Sequence, residues 1–497
     1  MKASLVTNIV FLSYIVVLLS LGYAAHLKIK KSSNFSEEYW VGGRSFGPWL
    51  VAFTWATSWT SGGSFIGTPA VYYTYGWTAL LWQAGAGVLG IIGIIAIGRR
   101  VSTVAWEANC MTLPDLFVDR YENKNMGILA ALIILVFGTA YMVSQYVAAA
   151  RILEVIAGIP YGIGIILFAI VVGLYTSFGG IRGVAYTNIF QGLIMVGGSI
   201  IIAIIMIIKA GGLTQITHTL MAQDPNLVVA PGPNNWLPIN TAFSMFFVLG
   251  VAVMAQPHVV TRLFSVKDID SLKKAGVLVS VVTFIWFLCL FISSIAGRSL
   301  IPNIDVPDQI FPTIVVKYSS KLFAGIMLSA PFAAVMSTVA SLLLSTSSAI
   351  IRDIYEKNIN RNPDGNKLKK LSYATTTGIS LIVMALALNP PSFLQAIVIF
   401  AISGFAASFT IPIVMGLFWK EATPTGGLLS MTSGFLTLII LYAFKIPAPL
   451  GFNPLVWGLI ISFITMILAS KLTKPNSPAI MERYFGIEQE NNFNTIS

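Results

Sequence analysis

Two clusters of small polar residues interrupt otherwise apolar stretches of the sequence, and their oxygen atoms could hold a metal cation. The first cluster reads Thr-Ser-Trp-Thr-Ser-Gly-Gly-Ser from Thr57 to Ser64, and the second places Ser337 directly before Thr338. Hydroxyls and the free carbonyls of an interrupted helix are neutral oxygen ligands, which suit a hard alkali cation. Small residues also let helices approach closely, so packing is the simpler explanation for either cluster taken alone.

The apolar stretches around these clusters carry no carboxylate, which narrows the kind of ion that the protein could use. Transporters driven by protons usually bury an acidic or histidine relay, and channels often carry charged rings. The ionisable candidate in this chain is His258, and a lone histidine near the end of a span is more often a packing residue than a proton carrier. A bound ion must therefore be held by neutral oxygen atoms, which favours sodium over a proton.

Long charge-free stretches predict helices that cross a membrane. The chain has 497 residues, of which 56% are hydrophobic and 10% are charged. Asp, Glu, Lys and Arg are absent between Arg44 and Arg99 and between Lys370 and Lys420, whereas about 20 residues of helix are enough to cross the hydrocarbon core. Backbone groups in lipid must bond within their own segment, so the spans are helices. We expect an all-α polytopic membrane protein with about thirteen spans, at 3–27, 46–75, 77–98, 125–150, 157–178, 185–208, 239–261, 275–297, 322–351, 371–389, 392–418, 424–444 and 453–470.

The basic residues predict which ends of the spans face the cytoplasm. With the N-terminus outside and the C-terminus inside, the cytoplasmic segments hold 23 of the 30 Lys and Arg residues, as the positive-inside rule requires. The net charge of +11 then lies in short loops facing an anionic leaflet, and it gives no reason to expect nucleic acid as a partner. We expect a multi-pass protein of the cell membrane that contacts lipid and has no obligate protein partner.

Other classes of membrane protein fit the sequence less well. The 3 histidines and 2 cysteines are scattered, without the spacing of a metal or catalytic site, so we do not expect an enzyme. The polar tail after Lys471 is too short for a signalling domain, which argues against a sensor built on a transporter. A passive channel stays open as an alternative, and uphill uptake that depends on sodium would exclude it.

Two predicted spans contain helix-breaking residues at corresponding places. The span 46–75 contains Ser61-Gly62-Gly63 and Pro69, and the span 239–261 contains Gln256 and Pro257. Paired interruptions of this kind are typical of transporters with inverted repeats and a binding site near the membrane midplane. Because Gly and Pro are common in membrane helices, this pattern alone leaves the repeat open.

At these same residues the sequence resembles the sodium:solute symporter family. The stretch Tyr175 to Arg182, reading Tyr-Thr-Ser-Phe-Gly-Gly-Ile-Arg, is similar to the most specific pattern of the family. The stretch Ala334 to Thr338 resembles its sodium-site helix, and Gln256-Pro257-His258 matches a further position. The resemblance covers about residues 37 to 470.

The resemblance implies a fold and an activity for the whole chain. It implies that 1–497 is a single transmembrane transporter domain with a leucine-transporter-like core of two inverted repeats, at about 46–208 and 239–418. The peripheral helices would be 3–27, 424–444 and 453–470. The implied activity is the import of a small organic solute together with sodium, by alternating access.

The resemblance also implies the residues that hold the ion and the solute. Sodium, the co-transported ion, would be bound by the carbonyl oxygens of Thr57, Thr60 and Ala334 and by the hydroxyls of Ser337 and Thr338. Because helix N-termini favour anions, we expect the amides from Ser61 to Ser64 to hold a solute carboxylate. The solute-binding residues implied by the family are Ser61, Gly62, Tyr141, Gln145 and Gln256.

The choice of solute depends on loop residues and on two departures from the family pattern. Loops such as Val306-Pro307-Asp308 are most similar to those of sodium/pantothenate symporters, so we expect pantothenate first, then another monocarboxylate, then proline or a sugar. Trp59 stands where proline transporters carry an acidic residue, which argues against proline. Asn188 stands where many members carry an Asp that is implicated in a second sodium site. We therefore expect one sodium ion per solute and, for a monocarboxylate, electroneutral transport.

Overall fold

The fold is helical throughout the part of the chain that the structure describes. The computed structural model describes residues 4–30, 35–87, 91–360, 364–389 and 394–486, and its β contact there is an isolated parallel bridge between Phe46 and Val266. The all-α prediction is confirmed for these residues. In chain order, the helices are α1 (Leu5–Lys30), α2 (Phe35–Val41), α3 (Pro48–Trp59), α4 (Thr68–Tyr75), α5 (Thr78–Gly85), α6 (Ile91–Glu107), α7 (Leu113–Tyr121), α8 (Lys124–Ala157), α9 (Tyr161–Lys209), α10 (Leu213–Gln223), α11 (Ile239–Met245), α12 (Pro257–Phe264), α13 (Ile269–Leu300), α14 (Ile310–Tyr318), α15 (Lys321–Ser348), α16 (Gly365–Ala387), α17 (Leu394–Phe418), α18 (Pro424–Ala443), α19 (Pro454–Lys471) and α20 (Pro478–Phe485).

The number of membrane-spanning helices differs from the sequence prediction. In the described ranges, 9 helices are long and apolar enough to cross a membrane, or 10 if the bent pair Ile239–Ala255 and Pro257–Phe264 counts as one span. The predicted count of thirteen is therefore not confirmed. One reason is that the predicted spans 46–75 and 77–98 are divided into short helices, α3 to α6. The other is that the predicted spans 157–178 and 185–208 both fall on α9, whose backbone is helical across the expected break.

Helix α15 forms the centre of the bundle. In an apolar 18-residue stretch of Lys321–Ile359, which is α15 with its continuation, 94% of the residues are buried. The corresponding shares are 28% in Leu5–Ala24 of α1 and 33% in α13. Helix α15 packs against α1, α3, α8 and α9, and its small residues let these neighbours approach closely. At Gly325, for example, an added Cβ would lie 2.9 Å from the carbonyl oxygen of Thr7 in α1. Because α15 is buried among other helices, its polar groups are shielded from lipid and can form a binding site inside the protein.

Two of the predicted spans are broken, at the places where the sequence predicts interruptions. Helix α3 ends at Trp59, Thr60 has an extended backbone (φ −73°, ψ 120°), and a π-helical turn from Gly63 to Gly67 leads into α4. In the second broken span, Gln256 is extended (φ −78°, ψ 115°) and the two halves meet at 45°. Pro257 begins α12, where the missing proline N–H removes no helical bond.

A cluster of ion pairs joins α7 to the stretch Ala349–Ile359, which continues α15. Asp115 caps α7 by accepting from the backbone N–H of Thr112 (3.0 Å), and it pairs with Arg352 (3.2 Å) and Lys357. Burial raises the pKa of the Asp115 carboxyl, but the two cations outweigh burial and hold this pKa below its usual range. The carboxylate is therefore ionised at neutral pH, and it fixes this end of α15 against α7.

Candidate cation and solute site

The five residues expected to hold sodium lie together where the end of α3 meets α15. The hydroxyl of Ser337 donates to the carbonyl oxygens of Thr57 (2.9 Å) and Ala334 (3.0 Å). The hydroxyl of Thr338 donates to the carbonyl oxygens of Thr60 (2.7 Å) and Ala334 (2.9 Å). All five residues are buried. The five oxygen atoms named from the sequence are thus linked by direct contacts around the carbonyl of Ala334.

The break in α3 explains why two of these carbonyls are free to bind a ligand. In a continuous helix the carbonyls of Thr57 and Thr60 would accept from the amides four residues later, those of Ser61 and Ser64. Here the amide of Ser61 donates to the side chain of Ser64 (3.3 Å), and the amide of Ser64 donates to the carbonyl of Ser61 (2.9 Å). The hydroxyls on α15 satisfy the freed carbonyls in their place.

The chemistry of this oxygen cluster suits a monovalent cation. Each hydroxyl can turn its hydrogen away from a carbonyl and offer a lone pair instead. In the described ranges, no group of three or more His, Cys, Asp or Glu side chains is arranged to hold a metal ion. Divalent cations favour carboxylate ligands. The site has neutral oxygen ligands and no carboxylate, so its affinity for a monovalent cation is moderate and the ion can be released.

Asn188 lies on α9 next to the same part of α3. Its side-chain nitrogen is 3.5 Å from the carbonyl oxygen of Thr54, and its side-chain oxygen is buried without a hydrogen-bond partner among the described residues. Close packing of α9 on α3 continues at Gly192, where an added Cβ would lie 3.1 Å from the Thr57 side chain. Asn188, where this chain departs from the family pattern, therefore lies against α3, one of the two helices that form the oxygen cluster.

Four of the five residues expected to bind the solute meet at the break in α3. The amide of Gly62 donates to the side-chain oxygen of Gln145 on α8 (2.6 Å), and the hydroxyl of Tyr141 reaches Ser61. This close approach of the break to α8 requires a glycine at position 62, because an added Cβ would lie 2.5 Å from the Cβ of Ala148. Ser61, Gly62, Tyr141 and Gln145 thus form one polar surface directly beside the oxygen cluster.

The fifth residue, Gln256, lies at the second break. It is buried, and its side-chain oxygen has no hydrogen-bond partner among the described residues. Two residues later the ring of His258 packs on Tyr141 at 5.8 Å between ring centroids. This packing brings the start of α12 to the solute residues of α8. His258 is buried against an aromatic ring, and both of its ring nitrogens lack a hydrogen-bond partner among the described residues.

The structure adds a residue to the solute surface that the sequence analysis did not identify. Gln395, on α17, is 3% exposed, and its side-chain oxygen lacks a partner in the described part of the chain. An added Cβ on Gly67 would lie 2.4 Å from that oxygen, and one on Gly63 would lie 3.2 Å from it. The signal in the sequence is a single amide side chain in the apolar span 392–418.

Three of the four amides expected to hold a solute carboxylate make hydrogen bonds within the protein. Those of Ser61 and Ser64 are engaged within the turn, and that of Gly62 is engaged by Gln145. A solute carboxylate at this break would have to take the place of these partners, so the assignment of the amides stays a prediction. The stretch Tyr175 to Arg182 adds little, since most of its side chains, including that of Arg182, lie outside the described ones.

Arg262 links the second broken span to the cation cluster. Its guanidinium is buried and donates to the hydroxyls of Ser58 on α3 (3.3 Å) and Ser341 on α15. The hydroxyl of Ser341 in turn donates to the carbonyl oxygen of Ser337 (2.8 Å). The side chain therefore fastens α12 to both helices that form the oxygen cluster.

A further buried acid lies outside the helices that are long and apolar enough to span a membrane. Asp308, between α13 and α14, is 8% exposed. Burial raises the pKa of its carboxyl to about 6, although Arg151 opposes this effect. Arg151 itself pairs with Glu154 at 2.8 Å. This carboxyl titrates close to the physiological range, which makes its effect on stability measurable.

Comparisons with known proteins agree with these features. The model of the sodium:solute symporter family matches residues 39–434. The chain is 34% identical to a sodium/pantothenate symporter of Haemophilus influenzae, with 91% of this chain and 93% of that protein covered. It is 33% identical to a sodium/pantothenate symporter of Escherichia coli, with 92% and 95% covered.

A solved structure supports the fold. The substrate-bound outward-open state of a sodium-coupled sialic acid symporter matches with a TM-score of 0.77 and 21% identity, covering 95% of this chain and 99% of that one. A nucleobase-cation-symport-1 family transporter in a closed conformation matches with a TM-score of 0.58 and 13% identity, covering 90% of this chain and 98% of that one. The expected fold is therefore confirmed.

Proposed function

Because this chain belongs to the sodium:solute symporter family, we propose that it imports pantothenate into the cell together with sodium. Sodium is the co-transported ion of the family, and the apolar helices place the protein in the cell membrane. Two relatives that cover more than nine tenths of the chain are sodium/pantothenate symporters. Those relatives support pantothenate as the solute ahead of proline or another monocarboxylate.

The observation that carries the sodium site is the oxygen cluster between α3 and α15. Three carbonyls and two hydroxyls, from Thr57, Thr60, Ala334, Ser337 and Thr338, lie in contact at 2.7 to 3.0 Å. A sodium ion entering this cluster would replace the hydroxyl hydrogens as the partner of the carbonyls. The site would then hold α3 and α15 together through the ion.

The solute site shares its backbone with the sodium site. Thr60 offers a carbonyl to the ion, and Ser61 and Gly62 follow directly in the chain. Sodium binding fixes the backbone of the break, and so it arranges the neighbouring polar surface for the solute. By linkage, the bound solute must strengthen sodium binding by the same factor. This mutual dependence is the coupling that symport requires.

The polar surface around the break suits the chemistry of pantothenate. That molecule has an amide and two hydroxyls besides its carboxylate, and each of these groups both donates and accepts hydrogen bonds. Gln145, Gln256 and Gln395 offer amide groups, and Tyr141 and Ser61 offer hydroxyls. The side-chain oxygens of Gln256 and Gln395 are buried without partners among the described residues, so a solute donor would satisfy them.

Alternating access would be carried by the two broken spans. We assign them to inverted repeats at about 46–208 and 239–418, with the N-terminus outside and the C-terminus in the cytoplasm. Arg262 would close the cytoplasmic path in the present state, because it joins α12 to α3 and α15. Release of the solute to the cytoplasm then requires these hydrogen bonds to open.

The experiment that tests the proposal measures uptake in proteoliposomes that contain the purified protein. A panel of labelled solutes, comprising pantothenate, proline, a sugar and a second monocarboxylate, is offered with sodium or with potassium outside. We expect uptake above equilibrium for pantothenate, and only with sodium. Faster sodium-dependent uptake of another member of the panel would refute pantothenate as the solute. Equal uptake with potassium would refute sodium coupling.

A further inference from the structure

An apolar cavity lies among α3, α6, α12 and α13, and its lining includes none of the residues assigned to the cation and solute site. It has a volume of about 230 Å³ and almost entirely apolar walls. Val51, Leu263 and Val279 line it and are themselves buried. On the outer side its wall includes Ile95, which is 54% exposed. The cavity therefore reaches from the surface of the helix bundle to α3, the first half of the first broken span.

Two basic side chains belong to the lining of this apolar cavity. They are Arg99 on α6 and Lys273 in the first turns of α13. Lys273 pairs with Asp270 at 3.8 Å, and both side chains are more than half exposed. An exposed pair of this length contributes little to stability, so the ammonium group of Lys273 can turn to another anion. The cavity thus combines apolar walls with two positive charges.

An unsatisfied donor on the inner wall is independent evidence for a ligand. Trp55 lines the cavity and is 2% exposed. Its indole N–H is buried and has no acceptor among the described residues. A buried tryptophan usually finds a hydrogen-bond partner, and a buried donor left without one is costly. A ligand with an oxygen acceptor next to an apolar chain would satisfy this group.

We propose that this cavity is a binding site for one anionic phospholipid of the surrounding bilayer. An acyl chain enters between α3, α6 and α13, and an oxygen of its ester linkage accepts from the indole of Trp55. The phosphate and a negatively charged headgroup lie at Arg99 and Lys273. Basic pockets between membrane helices recognise anionic lipids in this way. A phosphate ion free in solution would leave the apolar walls and the indole unused.

A lipid in this site would contact α3 and α12, which belong to the two broken spans. The walls of the cavity include residues from α3, which ends at the cation cluster, and from α12, which carries Arg262. A lipid that fills the gap between these helices and the supporting helices α6 and α13 stabilises their present arrangement. We therefore expect bound anionic lipid to raise the thermal stability of the purified protein.

The test compares phosphatidylglycerol with phosphatidylcholine of the same acyl chains, added to the full-length protein in detergent. Native mass spectrometry counts bound lipids, and the unfolding temperature is followed in parallel. We expect tighter retention of phosphatidylglycerol. Arg99→Gln and Lys273→Gln should each weaken that retention about fivefold. Lys274→Gln is the matched control, because Lys274 is exposed on the same helix and does not line the cavity.

A second variant tests the cavity itself. At Gly276 an added Cβ would lie 3.1 Å from Ile95, so Gly276→Leu should fill the cavity and reduce retention of both lipids. Equal retention of the two lipids, or an equal loss in Lys274→Gln and Lys273→Gln, would overturn the proposal. So would unchanged retention in a folded Gly276→Leu variant. A dimer that holds no lipid and is lost in Gly276→Leu would instead assign the cavity to a second copy of the chain.

Discussion

Removal of the Thr338 hydroxyl should raise the sodium concentration for half-maximal uptake by roughly 10- to 140-fold. That hydroxyl contacts the carbonyls of Thr60 (2.7 Å) and Ala334 (2.9 Å), so it would lie within reach of an ion held between them. A hydrogen bond to a charged group contributes about 1.5–3 kcal/mol, and we assign a similar value to one ion–hydroxyl contact. Each 1.4 kcal/mol is a factor of about ten in affinity, which gives the expected range for Thr338→Ala.

The assay is the initial rate of labelled pantothenate uptake into proteoliposomes as the external sodium concentration varies. Thr338→Ser restores the hydroxyl and should return the sodium dependence to within about threefold of the parent. Ser337→Ala should behave like Thr338→Ala, since Ser337 makes the corresponding contacts with Thr57 and Ala334. The maximal rate at saturating sodium should change less than the half-maximal concentration.

Matched controls separate loss of an ion ligand from general loss of a buried hydroxyl. On the same helix, Thr346 donates only to the carbonyl of Leu342 (2.7 Å) and Ser329 to that of Gly325 (2.9 Å). Thr346→Ala and Ser329→Ala should leave the sodium dependence unchanged. If the controls shift it as far as Thr338→Ala does, or if Ser337→Ala and Thr338→Ala shift nothing, the two hydroxyls are not sodium ligands.

Three further predictions follow from charged or amide groups. Pantothenate uptake should carry no net charge, because one sodium ion balances one carboxylate and Asn188 replaces the acid of a second sodium site; current across planar membranes measures this. Asp308 has a pKa raised to about 6 from 3.8, so its contribution to stability is present below pH 4 and is lost as the pH rises through 6. Asp308→Asn should therefore stabilise the protein at pH 8, by at most roughly 3 kcal/mol, and leave it unchanged near pH 4, as thermal unfolding would show. Asp115→Asn should destabilise the fold by roughly 1–3 kcal/mol, because it removes the buried carboxylate that accepts from Arg352, from Lys357 and from the backbone N–H of Thr112; Asp270→Asn, in an exposed pair, is the control.

Each of these predictions has an outcome that would contradict it. An inward current on adding pantothenate under a sodium gradient would show that more than one cation enters per solute. A stability gain for Asp308→Asn that is as large at pH 4 as at pH 8 would assign the effect to packing and not to ionisation. Equal unfolding temperatures for Asp115→Asn and Asp270→Asn would show that the cluster between α7 and α15 contributes no more than an exposed pair.

The cation cluster could be anticipated from the sequence because its residues are tied to local features. The break after Trp59 follows from the glycines and hydroxyls that come next, and the pair Ser337-Thr338 lies on an apolar helix. The resemblance to the family then connects these two distant segments. Their agreement in the structure depends on contacts between residues 280 positions apart for Ser337 and Thr57, which hydropathy alone does not contain.

The features that the sequence analysis missed depend on side-chain packing between distant helices. The proximity of Gln395 to the first break depends on the packing of α17 against Gly63 and Gly67, which are more than 300 positions away in the chain. The occupied amide of Gly62 depends on the reach of Gln145, 83 residues away. The predicted count of spans is not confirmed, because the span 46–75 is divided into short helices and two predicted spans fall on the continuous helix α9.

Sodium-coupled import of pantothenate is tested most directly by accumulation of the labelled solute in proteoliposomes driven only by a sodium gradient. Internal pantothenate should rise above the external concentration with sodium outside and potassium inside, and Ser337→Ala with Thr338→Ala should abolish this accumulation at low sodium. Accumulation that is the same when potassium replaces sodium outside, or that survives the double substitution at every sodium concentration, would contradict it.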